Sequence, residues 1–556
     1  MGDLHGKPFG VPTTTALLFV ALAILIMLPE YLLGPIGSDS SHFNKVWLEG
    51  FDKEIGSGVL YPRWLPDAWD GRGSPTFYFY PPCFFYLASI IRALTGNTVT
   101  ILTGATMASS VLLVGSGLGM RAWVRRYAPN STATAIGCAY LAAPYHLFDI
   151  YRRGALAESC VYAILPVLAI AMRGVDERRA WAMPVLSLAY AALLMSHLPV
   201  AVLTSITLVP AYALCLAAGD RRRATMLLAR LAIALALGIC LSAIYLLPAL
   251  GLIRFTSTQA MWSSFFSPEL WFFTNAAAWV DHGRLRITLM TMGLLLAALG
   301  SAQQARSWTA SVVPWVVTAL VCFILISGLL PIVWRLDVLR KVQFPWRALV
   351  VMEFAVLTAV AITRPWRNVL FWIGSLMLGA AALIWLVGFA SQVRQSSRVF
   401  TAAPRVATID GPEYLPIGFP IATARDRPTM PQDVELPPLR VPVATAGRVW
   451  GVAPVARGEW RLRSLGAGII IAPEFYFPHW TVIDRISGSK AIVYPCTRHR
   501  LACWKTSGRR AWVLTHASIP VVQIGAAVSS AAALVIVILI GAAVLRARDR
   551  RLHVTA

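Results

Sequence analysis

Charge is scarce in this chain. Of 556 residues only 13% are charged, while 57% are hydrophobic and the mean hydropathy is +0.64. A soluble protein of this length could not hide that much apolar surface, which excludes a soluble globular chain and marks a polytopic membrane protein. Acidic residues are scarcer still, 26 against 49 lysines and arginines, for a formal charge of +23. That excess does not point to nucleic acid, because the arginines sit in short clusters between apolar runs rather than on one soluble face; an orientation signal for membrane insertion accounts for most of them. Cysteine is sparse: six of eight lie in or beside apolar segments, where a thiol behaves as a small hydrophobe. Only Cys496 and Cys503 fall together in a polar stretch, and they are the disulfide candidate. The first apolar run has no small-residue cleavage site near it, so it is expected to be a retained span. No short-period repeat is present.

What is abundant is apolar runs of spanning length. Keeping the arginine clusters on the cytoplasmic side gives one self-consistent topology. Span one covers about 14–33, and Phe84 to Leu94 is too short to cross and lies along the outer surface. Later spans include about 98–120, 131–147, 228–252, 309–330 and 368–389. Turns at Arg121–Arg126, Arg173–Arg179, Arg221–Arg223 and Arg364–Arg367 lie inside, span eight ends inside near Arg306, and an aromatic loop from Trp262 to Trp279 and Asp281 lies outside. From 391 to 520 hydropathy falls, and runs such as Gly468-Ile-Ile-Ile-Ala and Trp512-Val-Leu-Thr-His read as strands of a β-rich outer domain. A last span, about 521–545, returns to the basic tail Arg546–Arg551. The expectation is an all-α polytopic protein of about twelve transmembrane helices, with domains at 1–390 (first outer loop 34–97), 391–520 and 521–556, both termini inside.

The richest loop runs from Gly37 to Tyr86. Asp39 is the first charge after span one, with His42 three residues on; the two share a face if the segment is helical. Ionisable groups at a membrane surface tend to mark function, but Asp39 is equally readable as the cap of the next helix. Tyr61-Pro62-Arg63-Trp64, Gly71-Arg72-Gly73-Ser74-Pro75 and Tyr80-Pro81-Pro82 follow. Proline and glycine at that density fix a shaped loop, and the aromatics place it at the interface.

This set of motifs, Asp-x-x-His, Tyr-Pro-Arg-Trp, Gly-x-Gly-x-Pro and Phe-Tyr-Pro-Pro, resembles the bacterial membrane family labelled "6-pyruvoyl-tetrahydropterin synthase-related", a branch of the GT-C membrane glycosyltransferases. Arg153-Gly154-Ala155-x-x-Glu158 resembles its second-loop motif and Phe344-Pro345-Trp346-Arg347 its later Pro-Trp-Arg motif. The label is not pterin chemistry, for no His-rich zinc spacing occurs here. The resemblance implies a GT-C-like fold in the bacterial inner membrane with a periplasmic active face. It implies transfer of a sugar from a polyprenyl-phosphate-linked donor to a cell-envelope acceptor, with the lipid bilayer as surroundings and no nucleic-acid partner. It gives Asp39 the part of base or metal ligand. Relatives carry an acidic pair where this chain has Asp39-Ser40-Ser41-His42, so a divalent metal (Mg or Mn) stays open.

As chemistry, glycosyl transfer needs a base for the acceptor hydroxyl and a cation for the departing phosphate. Asp39, oriented by His42, fits the first need, with Glu158 a second carboxylate or the partner of Arg152. Arg152, Arg153 and Arg347 fit the second, since a guanidinium fork suits phosphate; all three run against the positive-inside preference under this topology. The plainer reading is that they pair with Asp149, Glu158 or Asp337. His197 beside Pro199 is a substrate contact or, more commonly, a helix cap. Tyr61, Arg63 and Trp64 complete the substrate-binding candidates. A lipid-linked-glycan flippase and a non-catalytic glycan-binding assembly protein are the alternatives.

Overall fold

The computed structural model describes residues 11–258, 261, 266–275, 282–305, 311–399, 408–421, 434–446, 448–456 and 458–555. Trp262, Trp279, Asp281 and Arg306, named above, lie outside the described residues, and so do the side chains of Arg546–Arg551.

Among the described residues nine helices are long and apolar enough to cross a membrane: Thr13–Leu33, Ile101–Val124, Leu156–Asp176, Leu198–Leu216, Arg221–Leu241, Gly283–Gln304, Pro345–Thr363, Val369–Phe389 and Pro520–Leu545. Such helices satisfy their own backbone, which lipid cannot do. The other three expected spans are shorter. Asn130–Leu141 has 12 residues, and Ala182–Ser196 and Val313–Ser327 have 15 each. At 1.5 Å per residue they cover roughly 18–22 Å of a ~30 Å hydrocarbon core. Each has an identifiable stop. Pro144 has no N–H and disfavours helix at the residue before it, which breaks the expected 131–147 span after Leu141. His197 is extended (φ −155°) ahead of Leu198-Pro199. Gly328 is left-handed (φ 76°), and a Cβ there would sit 2.4 Å from Phe272. Cys83–Leu94, 12 residues long, falls short of a span as expected and packs on Ile101–Val124.

Four of the arginine turns meet at one end of the bundle. Arg126 lies 3.9 Å from Glu177, Arg223 donates to Asp176 at 2.6 Å, and Arg364 donates to the Tyr127 carbonyl at 3.2 Å. The opposite end carries the first loop, whose Asp39 and Ser40 N–H groups donate to the Arg152 and Arg153 carbonyls, each at 3.0 Å. Leu156–Asp176 joins the two ends, with Glu158 and Asp176 roughly 27 Å apart along its axis. This yields an expected labelling result. In a variant lacking the free thiols, cysteine at position 486 should react with an impermeant maleimide in intact spheroplasts, and cysteine at 222 should not. Ile486 is exposed on the sheet domain, and Arg222 is exposed in the basic first turn of the helix Arg221–Leu241. The reverse pattern would overturn the orientation.

Among the described residues the C-terminal domain is one antiparallel sheet of seven strands: β1 (Val443–Ala444), β2 (Val449–Ala456), β3 (Glu459–Phe475), β4 (Trp480–Asp484), β5 (Lys490–Ala491), β6 (Tyr494–Cys496) and β7 (Leu501–His516). The two runs expected as strands lie in β3 and β7, the long central pair, in register from Trp460↔Leu514 through Ile471↔Cys503. Alternation puts Leu462, Ile470, Trp504, Trp512 and Leu514 on one buried face, and Trp64, Tyr78 and Leu252 of the membrane part close over it. Cys496 and Cys503 are joined in a disulfide across β6 and β7, Cα–Cα 5.8 Å, within the usual bridge range. Residues 408–421 run between the first loop and the Phe255–Ser257 turn, where the N–H of Ser257 donates to the Leu415 carbonyl at 2.9 Å and that of Ile417 to the Phe255 carbonyl at 3.0 Å. This strap buries Asp410, Tyr414 and Leu415.

Candidate functional site

The site is built on the link between two helices. Pro144–Phe148 is a short helix, Asp149–Arg153 continues it as a π-helical turn, and Gly154 (φ 63°, ψ 35°) reverses the chain into Leu156–Asp176. A side chain at Gly154 would not fit, since its Cβ would lie 2.1 Å from Ser38 Oγ. Asn44 clamps the same residue, its amide donating to the Gly154 carbonyl at 2.7 Å. The first loop is thus locked onto this turn.

Glu158 is the centre. It lies in the first turn of its helix, where the N-terminal dipole favours an anion, and is fully buried. Arg153 Nη1 donates to Glu158 at 2.6 Å, to Asp149 at 2.5 Å and to the Tyr145 hydroxyl at 3.0 Å. That hydroxyl donates to the other Glu158 oxygen at 3.1 Å. Arg347 arrives from the turn Pro345–Ala348, its Nε 3.5 Å from Glu158. Its Nη1 donates to the Val342 carbonyl at 2.6 Å and to Gln343 at 3.0 Å, while Nε is buried with no hydrogen bond among the described residues. His197 Nε2 lies 3.5 Å from Glu158, and Nδ1 accepts the Val200 N–H at 3.3 Å. Burial pushes the His197 pKa down to about 3, with Glu158 pulling the other way. The ring is therefore neutral, and its one proton lies on Nε2, facing the carboxylate. His197 caps Leu198–Ile206 and touches the cluster at once.

Tyr80 brings the first loop into this group. Burial pushes its hydroxyl upward, against the pull of Arg347 and Arg153. Its ring packs on Trp47 at 4.3 Å, and the Trp47 indole donates to Asp410 of the strap at 2.5 Å.

Glu158, Arg153, Arg347 and His197, drawn from distant parts of the sequence, thus meet in one cluster. Asp39 stands at its edge, half-exposed, with Arg152 3.4 Å away and its backbone on the Arg152 carbonyl. His42 does not share its face. The helix begins only at Ser41, Asp39 belongs to the turn before it, and His42 Nε2 lies 2.9 Å from the Ile409 carbonyl. Nor does Asp39 cap that helix, whose cap residue is Ser40. Tyr61, Arg63 and Trp64 lie elsewhere in the loop. Arg63 stacks 3.9 Å over the Tyr61 ring and donates to the Ile244 carbonyl at 3.1 Å. Trp64 packs against His479 and Trp480 of the sheet domain. Among the described residues no three His, Cys, Asp or Glu side chains are placed to hold a metal ion.

Tyr145, Asp149, Glu353 and Asp410 were not singled out as site residues. A lone carboxylate in an apolar span was a visible signal for Glu353. No pattern marked Asp410.

The chain is similar to the solved arabinofuranosyltransferase AftD from Mycobacteria at 16% identity and a TM-score of 0.41, covering 72% of this chain and 27% of that one. A mutant of the same enzyme gives 17% identity and 0.40, covering 70% and 28%. The chain spans little more than a quarter of that enzyme's length. No curated protein matches it. The family model described as "6-pyruvoyl-tetrahydropterin synthase related domain; membrane protein" matches residues 77–401, more than half of the sequence. That stretch contains the π turn, Glu158, His197 and Arg347, and on it the chain belongs to the 6-pyruvoyl-tetrahydropterin synthase related family of membrane proteins.

Proposed function

We propose that this protein is a membrane glycosyltransferase that moves a sugar from a polyprenyl-phosphate carrier to an acceptor hydroxyl of the cell envelope, at the periplasmic side of the inner membrane. The observation that carries this reading is the pair of guanidiniums on Glu158, one of them, Arg347, paired through an Nε 3.5 Å away whose buried N–H makes no hydrogen bond among the described residues. A buried donor of that kind costs free energy unless an acceptor arrives, and a phosphate oxygen is a strong one. In this reading the acceptor O–H gives its proton to Asp39 as its oxygen attacks the anomeric carbon. The bond from that carbon to the phosphate oxygen breaks, and the electron pair stays on the phosphate, facing Arg347 and Arg153. Glu158, held by four partners, orients the two arginines and takes no proton. Arg152, 3.4 Å away, holds the Asp39 carboxylate in place.

The test is transfer by the purified protein from polyprenyl-phosphate-linked pentoses and hexoses to a cell-envelope glycan, read as release of polyprenyl phosphate. Asp39→Asn keeps the shape and removes the base, so turnover should fall at least ~10²-fold at unchanged unfolding temperature. Near-normal turnover in that variant would remove Asp39 from the mechanism.

A further inference from the structure

Glu353 lies inside the span Pro345–Thr363 and is 1% exposed. A carboxylate at that depth is costly and needs partners. Its Oε1 accepts the backbone N–H of Tyr145 at 2.8 Å, and its Oε2 accepts the Tyr162 hydroxyl at 2.8 Å. The first contact closes a helix end from outside. Pro144 opens the short helix Pro144–Phe148 and has no N–H, so the N–H of Tyr145 is the first donor that helix leaves open. The second contact reaches Leu156–Asp176, where Tyr162 also stacks on His146 at 3.7 Å. One carboxylate therefore grips both sides of the link that carries Tyr145, Asp149, Arg153 and Glu158.

Glu353 also belongs to the same rigid segment as Arg347, six residues earlier. The two guanidiniums come from different segments, and their spacing depends on how those segments are joined. The carboxylate of Glu353 joins them. We infer that Glu353 is a positioning residue that sets Arg153 and Glu158 against Arg347, and so sets the spacing of the two cations a lipid phosphate would meet. This rests on the phosphate-binding reading above. Glu353 touches no reacting atom in that reading and acts through the link it caps.

The experiment compares binding of undecaprenyl phosphate with binding of the neutral undecaprenol to the purified full-length protein. The wild type should prefer the phosphate. Glu353→Leu removes both acceptors and should weaken phosphate binding about 10-fold or more while undecaprenol binding stays within about 2-fold. Glu353→Gln keeps an acceptor for the Tyr145 N–H and should stay within about 3-fold of wild type. Tyr162→Phe, which leaves the capping bond intact, should fall between them and carries the test if the leucine variant does not fold. An unchanged phosphate-to-prenol ratio in both Glu353→Leu and Tyr162→Phe would overturn the inference and leave the site reading standing. So would a glutamine variant as weak as leucine, because the charge and not the cap would then matter. A wild type with no preference for the phosphate would overturn the site reading, and this inference with it.

Discussion

Glu158→Gln is expected to lose about 3–5 kcal/mol of stability and to be inactive, because the substitution removes the charge on which two buried guanidiniums converge. Arg153 retains Asp149, 2.5 Å away, and is partly compensated. Among the described residues Arg347 makes no second ion pair, so the loss falls chiefly on it. A test that separates this from generic damage is the double variant with Arg347→Gln. Taking out the stranded cation should restore part of the loss, giving a coupling of about 1–3 kcal/mol between the two positions. Equilibrium unfolding of the purified protein in a mild detergent and denaturant series measures all four corners of that cycle. Additive losses would mean that Arg347 does not depend on Glu158, and the cluster would not be one electrostatic unit. Restored stability without restored transfer is the expected pairing, since Arg347 is also the cation proposed to meet the phosphate.

Much of this cluster was legible because, under the expected topology, arginine at the outer end of a span is anomalous. Arg153 and Arg347 broke an orientation preference, and Glu158 stood close enough in sequence to be named as a partner. The spans were legible from apolar length, and the cysteine pair from its isolation in a polar stretch. Span lengths were less so, because Ala143-Pro144 and Gly328 end helices inside runs that stay apolar on both sides. The placement of His42 depended on where a helix begins. A start one turn earlier would have put it beside Asp39; a start at Ser41 leaves Asp39 in the turn. Glu353 was visible as an oddity, but its main partner is a backbone N–H 208 residues away, and no side-chain pattern announces such a contact. Asp410 is the least legible. It sits in a proline-rich stretch with no periodicity, and its indole partner is 363 residues distant.

Asp410 nevertheless fastens the strap over the first loop, and its removal is the second large effect expected. The side chain is fully buried. Its Oδ1 accepts the Trp47 indole N–H at 2.5 Å and the Gly411 N–H at 2.6 Å, and its Oδ2 accepts the Thr76 hydroxyl. Ser74 supports that hydroxyl at 2.9 Å. Burial pushes the carboxyl above the ordinary aspartate value, while these donors pull it back. Asp410→Ala strands three buried donors at about 1–3 kcal/mol each, so a total of about 3–5 kcal/mol is expected once neighbours relax. Asp410→Asn keeps one acceptor oxygen and should cost about 1–2 kcal/mol. The local consequence is more telling than the global one. Without its anchor the strap keeps backbone bonds such as Ser257 to Leu415 and Ile417 to Phe255, the contacts of His42 with the Ile409 carbonyl and of the Ser257 hydroxyl with the Pro416 carbonyl, and the packing of Tyr414 and Leu415. Amide hydrogen exchange of residues 411–417 should then accelerate at least ~10-fold in the alanine variant, while the Leu156–Asp176 helix keeps its protection. Trp47 would also be released from the Asp410 side, and it packs on Tyr80, which stands in the field of Arg347, Arg153 and Glu158. Transfer should therefore fall with strap protection across the alanine and asparagine variants. Unchanged exchange over 411–417 in the alanine variant would show that the strap is held by its apolar residues and that Asp410 is not its anchor.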